Sequence, residues 1–311
     1  MKIAFLYAGQ GSQTVGMGKD FYGQYELYKQ IIDDVDNCLD FNLKELLFDG
    51  PIEKLSQTKY TQPCMVAHAC AVTSLVLQKG ITPKAVAGLS LGEYSALCTA
   101  GVFDMKQAVS MVSFRGNEME KACIGLNCGM AAILGLDESI LNEICDSLSN
   151  KKDTVSIANY NCPGQLVIAG ESELVKSTCK LALEKGAKKC IPLQVSGPFH
   201  TKYMEPASKA LNEYFKTTNF GEMKIPVYSN FTGELISKED KISDLLENQV
   251  KSSVKMENII RKMEEDGIDL IIEIGNGKAL SGFVRRTCPK IKTYALQNIK
   301  DLENLKGILE E

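Results

Sequence analysis

The segment AVAGLSLGEYSALCTAG, residues 85–101, decides the fold. A short apolar run, Ala85 to Gly88, leads into Gly88-Leu89-Ser90-Leu91-Gly92, and a helix-like pattern follows at once. This G-x-S-x-G pattern is typical of a nucleophile elbow, in which a strand turns sharply into a helix and exposes the serine hydroxyl. Such a short pattern also occurs by chance, so its weight comes from the strand before it and the helix after it. The segment therefore predicts Ser90 as a nucleophile beside helix N–H groups that suit an oxyanion.

The composition is that of an ordinary globular protein. The 311 residues are 44% hydrophobic and 24% charged, enough for one large or two modest domains with a substantial core. No apolar run approaches a membrane span, and the N-terminal apolar stretch is too short for a signal peptide. A net charge of −4 disfavours nucleic acid as the main partner. We expect neither a membrane nor a nucleic-acid partner.

The cysteines and histidines limit the chemistry further. The eleven cysteines are scattered without any C-x-x-C pair, which indicates a reducing cytoplasm and no disulfide framework. The chain has two histidines, so we expect no histidine-rich metal site. Of these two, His68 lies inside an Ala-rich apolar helix and is interpreted as a core residue, whereas His200 follows Gly-Pro-Phe on a loop before a helix. His200 is therefore the candidate base, with a helix-start histidine without chemistry as the alternative.

Short apolar strands alternate with helices along most of the chain, which predicts an α/β fold with a mostly parallel sheet covered on both faces. With the elbow, this core is expected to be α/β-hydrolase-like. The strands of the core are predicted at 2–8, 85–88, 269–274 and 291–296, with a short strand and turn at 226–240. The helices are predicted at 62–79, 104–121, 240–250, 254–265 and 302–309.

Residues 126–196 follow a different order, namely strand, helix, strand, strand, helix, strand. This βαββαβ order is that of the ferredoxin-like unit, and Asn161-Cys162-Pro163-Gly164 is its predicted hairpin turn. We therefore expect a large catalytic subdomain, 1–125 and 197–311, into which a small ferredoxin-like subdomain, 126–196, is inserted.

Two further segments are candidates for substrate contact. The Gly-rich stretch from Gly9 to Gly18 fits neither the dinucleotide-binding nor the phosphate-loop spacing, so it is interpreted as backbone close to a ligand with Gln10 at its mouth. A plain turn into the next helix is the alternative. Arg115 lies on a predicted helix, where an arginine is usually a surface residue. In a pocket it would form a bidentate clamp for a carboxylate.

Over essentially its whole length, the chain resembles the malonyl-CoA–acyl carrier protein transacylases of bacterial fatty acid synthesis, relatives of polyketide-synthase acyltransferase domains. The combination and order of the matching segments carry the resemblance more than any one of them. The segments are GQGSQ (9–13), GLSLGEYSAL (88–97), RG (115–116), NYNCPGQLVIAG (159–170), GPFHT (197–201), QVKSSV (249–254) and EIGNGK (273–278).

The resemblance implies a role for each matching position. Ser90 is the nucleophile and His200 its base, and the backbone carbonyl of Gln249 orients the imidazole where a triad would have an acid. The oxyanion hole maps to the backbone N–H groups of Gln10 and Leu91. Arg115 pairs with the free carboxylate of the malonyl group.

The sequence also departs from the family pattern. Leu89 stands before the nucleophile where the family most often has histidine; that histidine is not the base, so activity is expected to survive. Ser253 and Asn276 stand where proline is usual, which affects only local loops. Phe199 before His200 matches the pattern associated with malonyl rather than methylmalonyl groups.

The implied reaction is transfer of a malonyl group from malonyl-CoA to the phosphopantetheine thiol of acyl carrier protein, without a metal or other cofactor. Alternatives are a free-standing acyltransferase of a polyketide synthase, a thioester-cleaving serine hydrolase and a non-catalytic scaffold that binds carrier proteins. A monomer is expected. Because carrier proteins are acidic, a basic docking patch is expected at Lys188, Lys189, Arg285 and Arg286, each of which is otherwise an ordinary surface charge.

Overall fold

The strands of the computed structural model, which describes residues 1–195 and 197–310, divide between two sheets. Ser196, the last residue assigned to the small subdomain, lies outside the described residues. The strands are β1 (Ile3–Tyr7), β2 (Ala85–Gly88), β3 (Cys128–Leu134), β4 (Val155–Cys162), β5 (Gln165–Glu171), β6 (Lys189–Leu193), β7 (Val254–Lys255), β8 (Leu270–Ile274) and β9 (Lys292–Leu296).

Helices cover both sheets, and those of the described residues are all but one of the regular α type. None of them is both long and apolar enough to cross a bilayer. The α-helices are α1 (Lys19–Gln24), α2 (Glu26–Asp36), α3 (Leu43–Asp49), α4 (Ile52–Leu55), α5 (Thr58–Gln78), α6 (Gly92–Thr99), α7 (Met105–Ala122), α8 (Glu138–Leu148), α9 (Ser172–Glu184), α10 (Glu205–Phe215), α11 (Ile242–Lys251), α12 (Met256–Glu265), α13 (Ala279–Thr287) and α14 (Ile299–Glu310), and a 3₁₀ turn spans Lys202–Met204.

The first sheet is parallel throughout, in the order β2-β1-β8-β9. Side chains of β1 alternate between two hydrophobic clusters, Phe5 and Tyr7 in one and Ala4 and Leu6 in the other. This alternation is the period of two expected of a strand that is buried on both faces. The predicted parallel core is therefore present, and its strands β1 and β2 end side by side at Tyr7 and Gly88.

The second sheet is mixed, in the order β6-β3-β5-β4-β7. Its pairs β3–β6, β3–β5 and β4–β5 are antiparallel, and α8 and α9 add apolar side chains to the cluster beneath it. The hairpin between β4 and β5 turns at Pro163-Gly164, where Gly164 has a φ of +70°, while Asn161 and Cys162 belong to the strand. The predicted order of elements in residues 126–195 is the observed one.

The prediction of one helix over 254–265 is wrong at its start. Val254 and Lys255 form β7, which pairs in parallel with Asn159 and Tyr160 of β4, and the helix begins at Met256. The buried residues Met256, Ile259, Ile260 and Met263 have helical spacing, whereas Val254 precedes Met256 by two residues, the spacing of a strand. A strand from the large part of the chain thus completes the small sheet.

The predicted strand at 226–240 is reduced to isolated bridges. Val227 forms one parallel bridge with Val86 of β2, and Tyr228 forms one antiparallel bridge with Leu235. The first bridge holds the segment against β2, the edge strand of the first sheet, and the second closes a turn within the segment. As a result, Asn230 lies beside the end of β2.

Candidate active site

Ser90 occupies the sharp turn between β2 and α6 with a left-handed backbone, φ +52°. The two flanking glycines are required by close packing. A Cβ on Gly88 would lie 2.1 Å from the backbone carbon of Gly92, and a Cβ on Gly92 would lie 2.2 Å from the carbonyl oxygen of Tyr7. Helix α6 therefore approaches the ends of β1 and β2 more closely than any side chain allows, and the turn presents Ser90 at its apex.

Asn230 fixes this turn through its side-chain amide. Its Oδ1 accepts a hydrogen bond of 2.6 Å from the backbone N–H of Ser90, and its Nδ2 donates one of 2.7 Å to the carbonyl of Gly88. The residue is fully buried. Sequence reasoning missed Asn230, because it belongs to none of the motifs and lies 140 positions from Ser90 along the chain.

His200 lies next to the serine hydroxyl. Its Nε2 is 2.7 Å from Ser90 Oγ, and its Nδ1 is 2.9 Å from the carbonyl oxygen of Gln249. Because a carbonyl only accepts, Nδ1 carries the proton and Nε2 is free to accept the proton of the serine. Burial, followed by the positive charge of Arg115, lowers the pKa of His200 to about 4. The imidazole is therefore neutral at neutral pH, the state that a general base requires.

The loop that carries His200 is held by its own residues. Thr201 Oγ1 donates to the carbonyl of Pro198 at 2.6 Å and accepts from the backbone N–H of Tyr203 at 3.4 Å. Thr201 thus caps the 3₁₀ turn that leads into α10, rather than α10 directly. His200 itself has φ +61°.

Arg115 on α7 is a buried cation without an acidic partner. Its side chain is 1% exposed, and no carboxylate within the described residues lies within ion-pair distance. Its Nη1 donates to Gln62 Oε1 at 2.9 Å, its Nη2 to Gln249 Oε1 at 2.9 Å and to Ser90 Oγ at 3.3 Å, and its Nε has no partner among the described residues. Burial lowers the pKa of Arg115, although a guanidinium remains charged. A buried, incompletely paired guanidinium is a strong attractor for an anion.

The side chain of Gln249 joins these groups, which the sequence did not indicate. Beyond its bond to Arg115, its Nε2 donates to the Ser90 carbonyl and to Glu93 Oε2, each at 2.8 Å. Glu93 is also fully buried, and burial raises the pKa of its carboxyl group to about 7. Sequence reasoning assigned only the backbone carbonyl of Gln249, and it missed Glu93 and Gln62. The position of Glu93 inside the motif segment 88–97 was the available signal.

A pocket of about 160 Å³ opens over Ser90, His200 and Arg115. The elbow and the Gly9-Gln10 loop form one wall, and a Cβ on Gly9 would lie 2.6 Å from the Leu89 carbonyl. Among the described residues, no partner is found for the backbone N–H groups of Gln10 and Leu91, both of which line the pocket. The small sheet supplies the opposite wall, so the pocket lies between the two parts of the chain.

The other residues singled out from the sequence lie at varied distances from this pocket. Phe199 and Leu89 line it. His68 does not; it is buried in α5 with Nδ1 2.8 Å from the hydroxyl of Tyr28. Ser253 Oγ donates to the carbonyl of Ile157 at 2.7 Å, and Asn276 donates to Thr14, so both polar residues at usual proline positions have local partners.

The four basic residues suggested for docking are all exposed. Lys188 packs against Gly135 near the β4–β5 hairpin, and Arg286 interacts electrostatically with Cys162 at the end of β4. Arg285 instead donates to Thr293 on β9 at 3.4 Å. Within 1–195 and 197–310, no cluster of three histidine, cysteine or acidic side chains suits a metal ion, and the cysteines are free.

Comparisons with known proteins show which sequences and structures the chain resembles. Residues 4–306 match the model of the acyl transferase domain family. The malonyl CoA-acyl carrier protein transacylase of Bacillus subtilis is 41% identical over 310 residues, which cover 100% of this chain and 98% of that protein. The crystal structure of the transacylase of the same name from Clostridium perfringens superposes with a TM-score of 0.95 at 36% identity, covering 100% of this chain and 98% of that one. A malonyl-transacylase solved in complex with its type II PKS acyl-carrier protein superposes with a TM-score of 0.94 at 33% identity, with 98% of each chain covered.

Proposed function

The chain belongs to the acyl transferase domain family and, over its full length, to the malonyl CoA-acyl carrier protein transacylases; from that membership we propose that it moves a malonyl group from coenzyme A to the thiol of an acyl carrier protein. The observation that carries the proposal is the buried Arg115 beside the Ser90–His200 pair. A carboxylate-bearing acyl group satisfies the arginine while its thioester lies at the serine. The enzyme is an acyltransferase that supplies fatty acid synthesis.

The first half of the reaction loads the enzyme. His200 Nε2 takes the proton of Ser90 as Oγ attacks the malonyl thioester carbon. The resulting oxyanion accepts from the free N–H groups of Gln10 and Leu91, donors that are each worth roughly 3–4 kcal/mol in such sites. The C–S bond then breaks, and the imidazolium returns its proton to the sulfur of coenzyme A. The product is a malonyl ester of Ser90.

The second half repeats these steps with another nucleophile. The phosphopantetheine thiol gives its proton to His200 and attacks the malonyl ester, and Ser90 Oγ leaves and recovers the proton. Throughout, the Gln249 carbonyl holds the imidazole with Nδ1 protonated, so no acidic third residue is needed. We assign the catalytic role to Ser90 and His200, positioning to Gln249 and substrate binding to Arg115, with no metal or other cofactor.

Selectivity for malonyl over acetyl groups follows from Arg115. In the malonyl-enzyme its guanidinium pairs with the free carboxylate, whereas an acetyl group leaves it with amides and the serine alone. An acetyl group makes none of the direct charge-assisted hydrogen bonds that the malonyl carboxylate makes to this guanidinium, so acetyl transfer is disfavoured. Phe199 in the pocket wall is assigned to selection of malonyl over methylmalonyl.

The test is the intact mass of the enzyme after mixing with malonyl-CoA, methylmalonyl-CoA or acetyl-CoA, followed by a chase with carrier protein. One malonyl group per chain that moves to the carrier supports the proposal. Ser90→Ala is the control and is expected to take up none. Hydrolysis of the thioester without acceptor at the rate of transfer would instead identify a serine hydrolase, and an enzyme inert towards serine-reactive probes would identify a scaffold.

A second setting, transfer to a polyketide-synthase carrier protein, is favoured by one observation, the likeness to the malonyl-transacylase solved with its type II PKS carrier. The chase distinguishes the two settings when carrier proteins of both kinds are supplied in competition. Preferential loading of a fatty-acid carrier protein supports the assignment made above. Preferential loading of a polyketide carrier protein overturns it.

We assign carrier docking to the exposed residues Lys188, Lys189, Arg285 and Arg286, because carrier proteins are acidic. Charge reversal at all four is expected to raise the KM for the carrier protein and to leave the KM for malonyl-CoA unchanged. An unchanged KM for the carrier protein would show that these four residues do not bind it.

We further propose that 1–125 with 197–311 is an α/β-hydrolase-like unit and that 126–196 is a ferredoxin-like unit. We also propose that the protein is a cytoplasmic monomer.

A further inference from the structure

Glu93 is a buried carboxyl group to which the reaction just described gives no role. It lies in the first turn of α6, three residues after the nucleophile, and its side chain is fully buried. Its Oε2 accepts from Gln249 Nε2 at 2.8 Å and from the backbone N–H of Asn230 at 3.2 Å. Its Oε1 has no hydrogen-bond partner among the described residues. One oxygen of the carboxyl group is therefore fully used, and the other makes no hydrogen bond of normal geometry, although the Ser229 hydroxyl is close enough to interact with the carboxyl group.

A single amide separates this carboxyl group from the carboxylate-binding arginine. The side chain of Gln249 donates to Glu93 through Nε2 and accepts from Arg115 through Oε1. The two charged groups make no direct ion pair, but they interact electrostatically across the amide. Glu93 is thus an acid close enough to compensate the guanidinium and too far away to occupy its donors, which remain available to a ligand.

The ionisable groups around Glu93 are few. Arg115 on α7 and Tyr94, which lies beside Glu93 on α6, interact with it electrostatically, and His200 interacts with the same guanidinium. Ser229, Asn230 and Gln249 contribute only neutral hydroxyl and amide groups. Tyr94 and His200 are both uncharged at neutral pH, because burial raises the pKa of Tyr94 to about 12 and lowers that of His200 to about 4. The charge state of Glu93 therefore depends on Arg115 and on whatever anion Arg115 holds.

We propose that Glu93 is the counter-charge of Arg115 in the empty site and takes up a proton when the malonyl carboxylate binds to that arginine. The inference rests on the function proposed above. A second carboxylate at the same guanidinium repels the first, and like charges that share a site cannot both remain ionised at low cost. The malonyl carboxylate contacts the arginine directly and keeps its charge, so Glu93 is the group that protonates, at its Oε1.

The pKa of Glu93 supports this exchange, since burial raises it to about 7, while hydrogen bonds from Gln249, Asn230 and Ser229 and then the charge of Arg115 oppose that rise. Both protonation states are therefore populated in the empty enzyme near neutral pH. The acyl transfer itself releases and consumes no proton, because the serine hydroxyl proton ends on the sulfur of coenzyme A. Any net proton uptake on malonylation comes from the protein.

The proton count is measured with an indicator dye in weakly buffered solution, and the amount of malonyl-enzyme is measured by intact mass in the same samples. The wild-type enzyme is expected to take up a substantial fraction of a proton, and at most one, per malonyl group at pH 7.5. The uptake should be largest above pH 7, between the pKa of Glu93 in the empty enzyme and its higher pKa in the malonyl-enzyme, and should vanish by pH 5. Malonyl-enzyme that forms without proton uptake anywhere between pH 6 and 9 overturns the inference and leaves the proposed function intact. Failure to form malonyl-enzyme overturns the proposed function instead.

Two variants assign the proton to its residue. Glu93→Gln keeps a carbonyl oxygen for Gln249 and Asn230 and removes the titrating group, so its malonyl-enzyme should form without uptake and the pH dependence of malonyl-CoA affinity should flatten. Glu273→Gln is the matched control, because Glu273 is another buried carboxyl group, 1% exposed, that accepts from Leu280 and Ser281 at the start of α13. Uptake that persists in Glu93→Gln, or disappears in Glu273→Gln, contradicts the assignment. If Glu93→Gln does not fold, the pH profile of the wild-type uptake decides alone.

Discussion

Ser90 and His200 are the two non-glycine residues of the described chain with a left-handed backbone, at φ +52° and +61°, and their side chains meet at 2.7 Å. Such a conformation costs of order 1–3 kcal/mol per residue and persists only where the surroundings enforce it. At Ser90 the enforcement comes from Asn230 and the two glycines. At His200 it comes from the loop held by Thr201. The backbones of the proposed nucleophile and base are therefore each fixed by their own surroundings, independently of the contact between their side chains.

Arg115→Leu is expected to lower the preference for malonyl over acetyl groups by roughly 30-fold or more, because truncating one member of a buried charge pair costs about 2–5 kcal/mol. The ratio of kcat/KM for malonyl-CoA and acetyl-CoA measures this. Lys106→Leu, an exposed cation on the same helix, is the control and should leave the ratio unchanged. An unaltered ratio in Arg115→Leu would show that the arginine does not select the malonyl group.

The reactivity of Ser90 is expected to survive acidification to well below pH 6. A general base acts in its neutral form, so activity is present above the folded-state pKa of His200, about 4, and is lost as the pH falls through it. The rate of labelling by a neutral serine-reactive probe, followed from pH 3.5 to 8 with circular dichroism to confirm folding, gives the midpoint.

The same titration separates the causes of this low pKa. Because the charge of Arg115 is the second cause after burial, Arg115→Leu should move the midpoint to higher pH. A wild-type midpoint between pH 6 and 7 would show that the base is not held in the environment described here. A midpoint that does not respond to Arg115→Leu would assign the whole shift to burial.

Asn230→Ala is expected to destabilise the fold by about 1–3 kcal/mol and to slow acylation, because it leaves the Ser90 N–H and the Gly88 carbonyl without their buried partner. Urea unfolding measures the first effect and probe labelling the second. Asn258→Ala, an exposed asparagine on α12, is the control. Wild-type stability together with wild-type labelling in Asn230→Ala would show that the glycines alone maintain the turn.

Gly92→Ala is expected to prevent accumulation of the folded protein or to destabilise it by several kcal/mol, since the new Cβ would lie 2.2 Å from the Tyr7 carbonyl. Gly23→Ala is the matched control: this glycine lies in α1 with nothing within 4 Å of a Cβ, so its replacement should be neutral or stabilise by up to about 1 kcal/mol. Thermal unfolding compares the two. Equal melting temperatures would mean that α6 can move away from the sheet at little cost.

The sequence predicted those features that local pattern determines. The elbow, the parallel strands and the βαββαβ order of 126–195 each follow from hydrophobic period and glycine position over a few residues. Ser90, His200 and Arg115 were singled out because each lies in a short motif or is the remaining candidate of its type. The structure brings all three to one pocket.

What the sequence could not predict depends on long-range packing. Asn230 contacts a residue 140 positions away, and Gln249 contacts Arg115 and Ser90 across 134 and 159 positions. The two residues of β7 are too few to show the alternation of a strand, so they were included in the predicted helix that follows them. The resemblance replaces a third acid by the Gln249 carbonyl, so Glu93 was given no role although it lies inside a motif segment and one amide away from the arginine.

The strand β7 has a consequence for exchanging parts between members of the family. Because Val254 and Lys255 pair with β4, the small sheet is built from two separate portions of the chain. A chimera that transplants residues 126–196 alone would place a foreign β4 beside a native β7. The register and the side-chain packing between these two strands would then not be matched. A sheet edge left unpaired can form β-sheet hydrogen bonds with another molecule and cause aggregation. A transplant should therefore carry residues 253–255 as well, because the small sheet that forms one wall of the pocket is complete only when β4 and β7 come from the same protein.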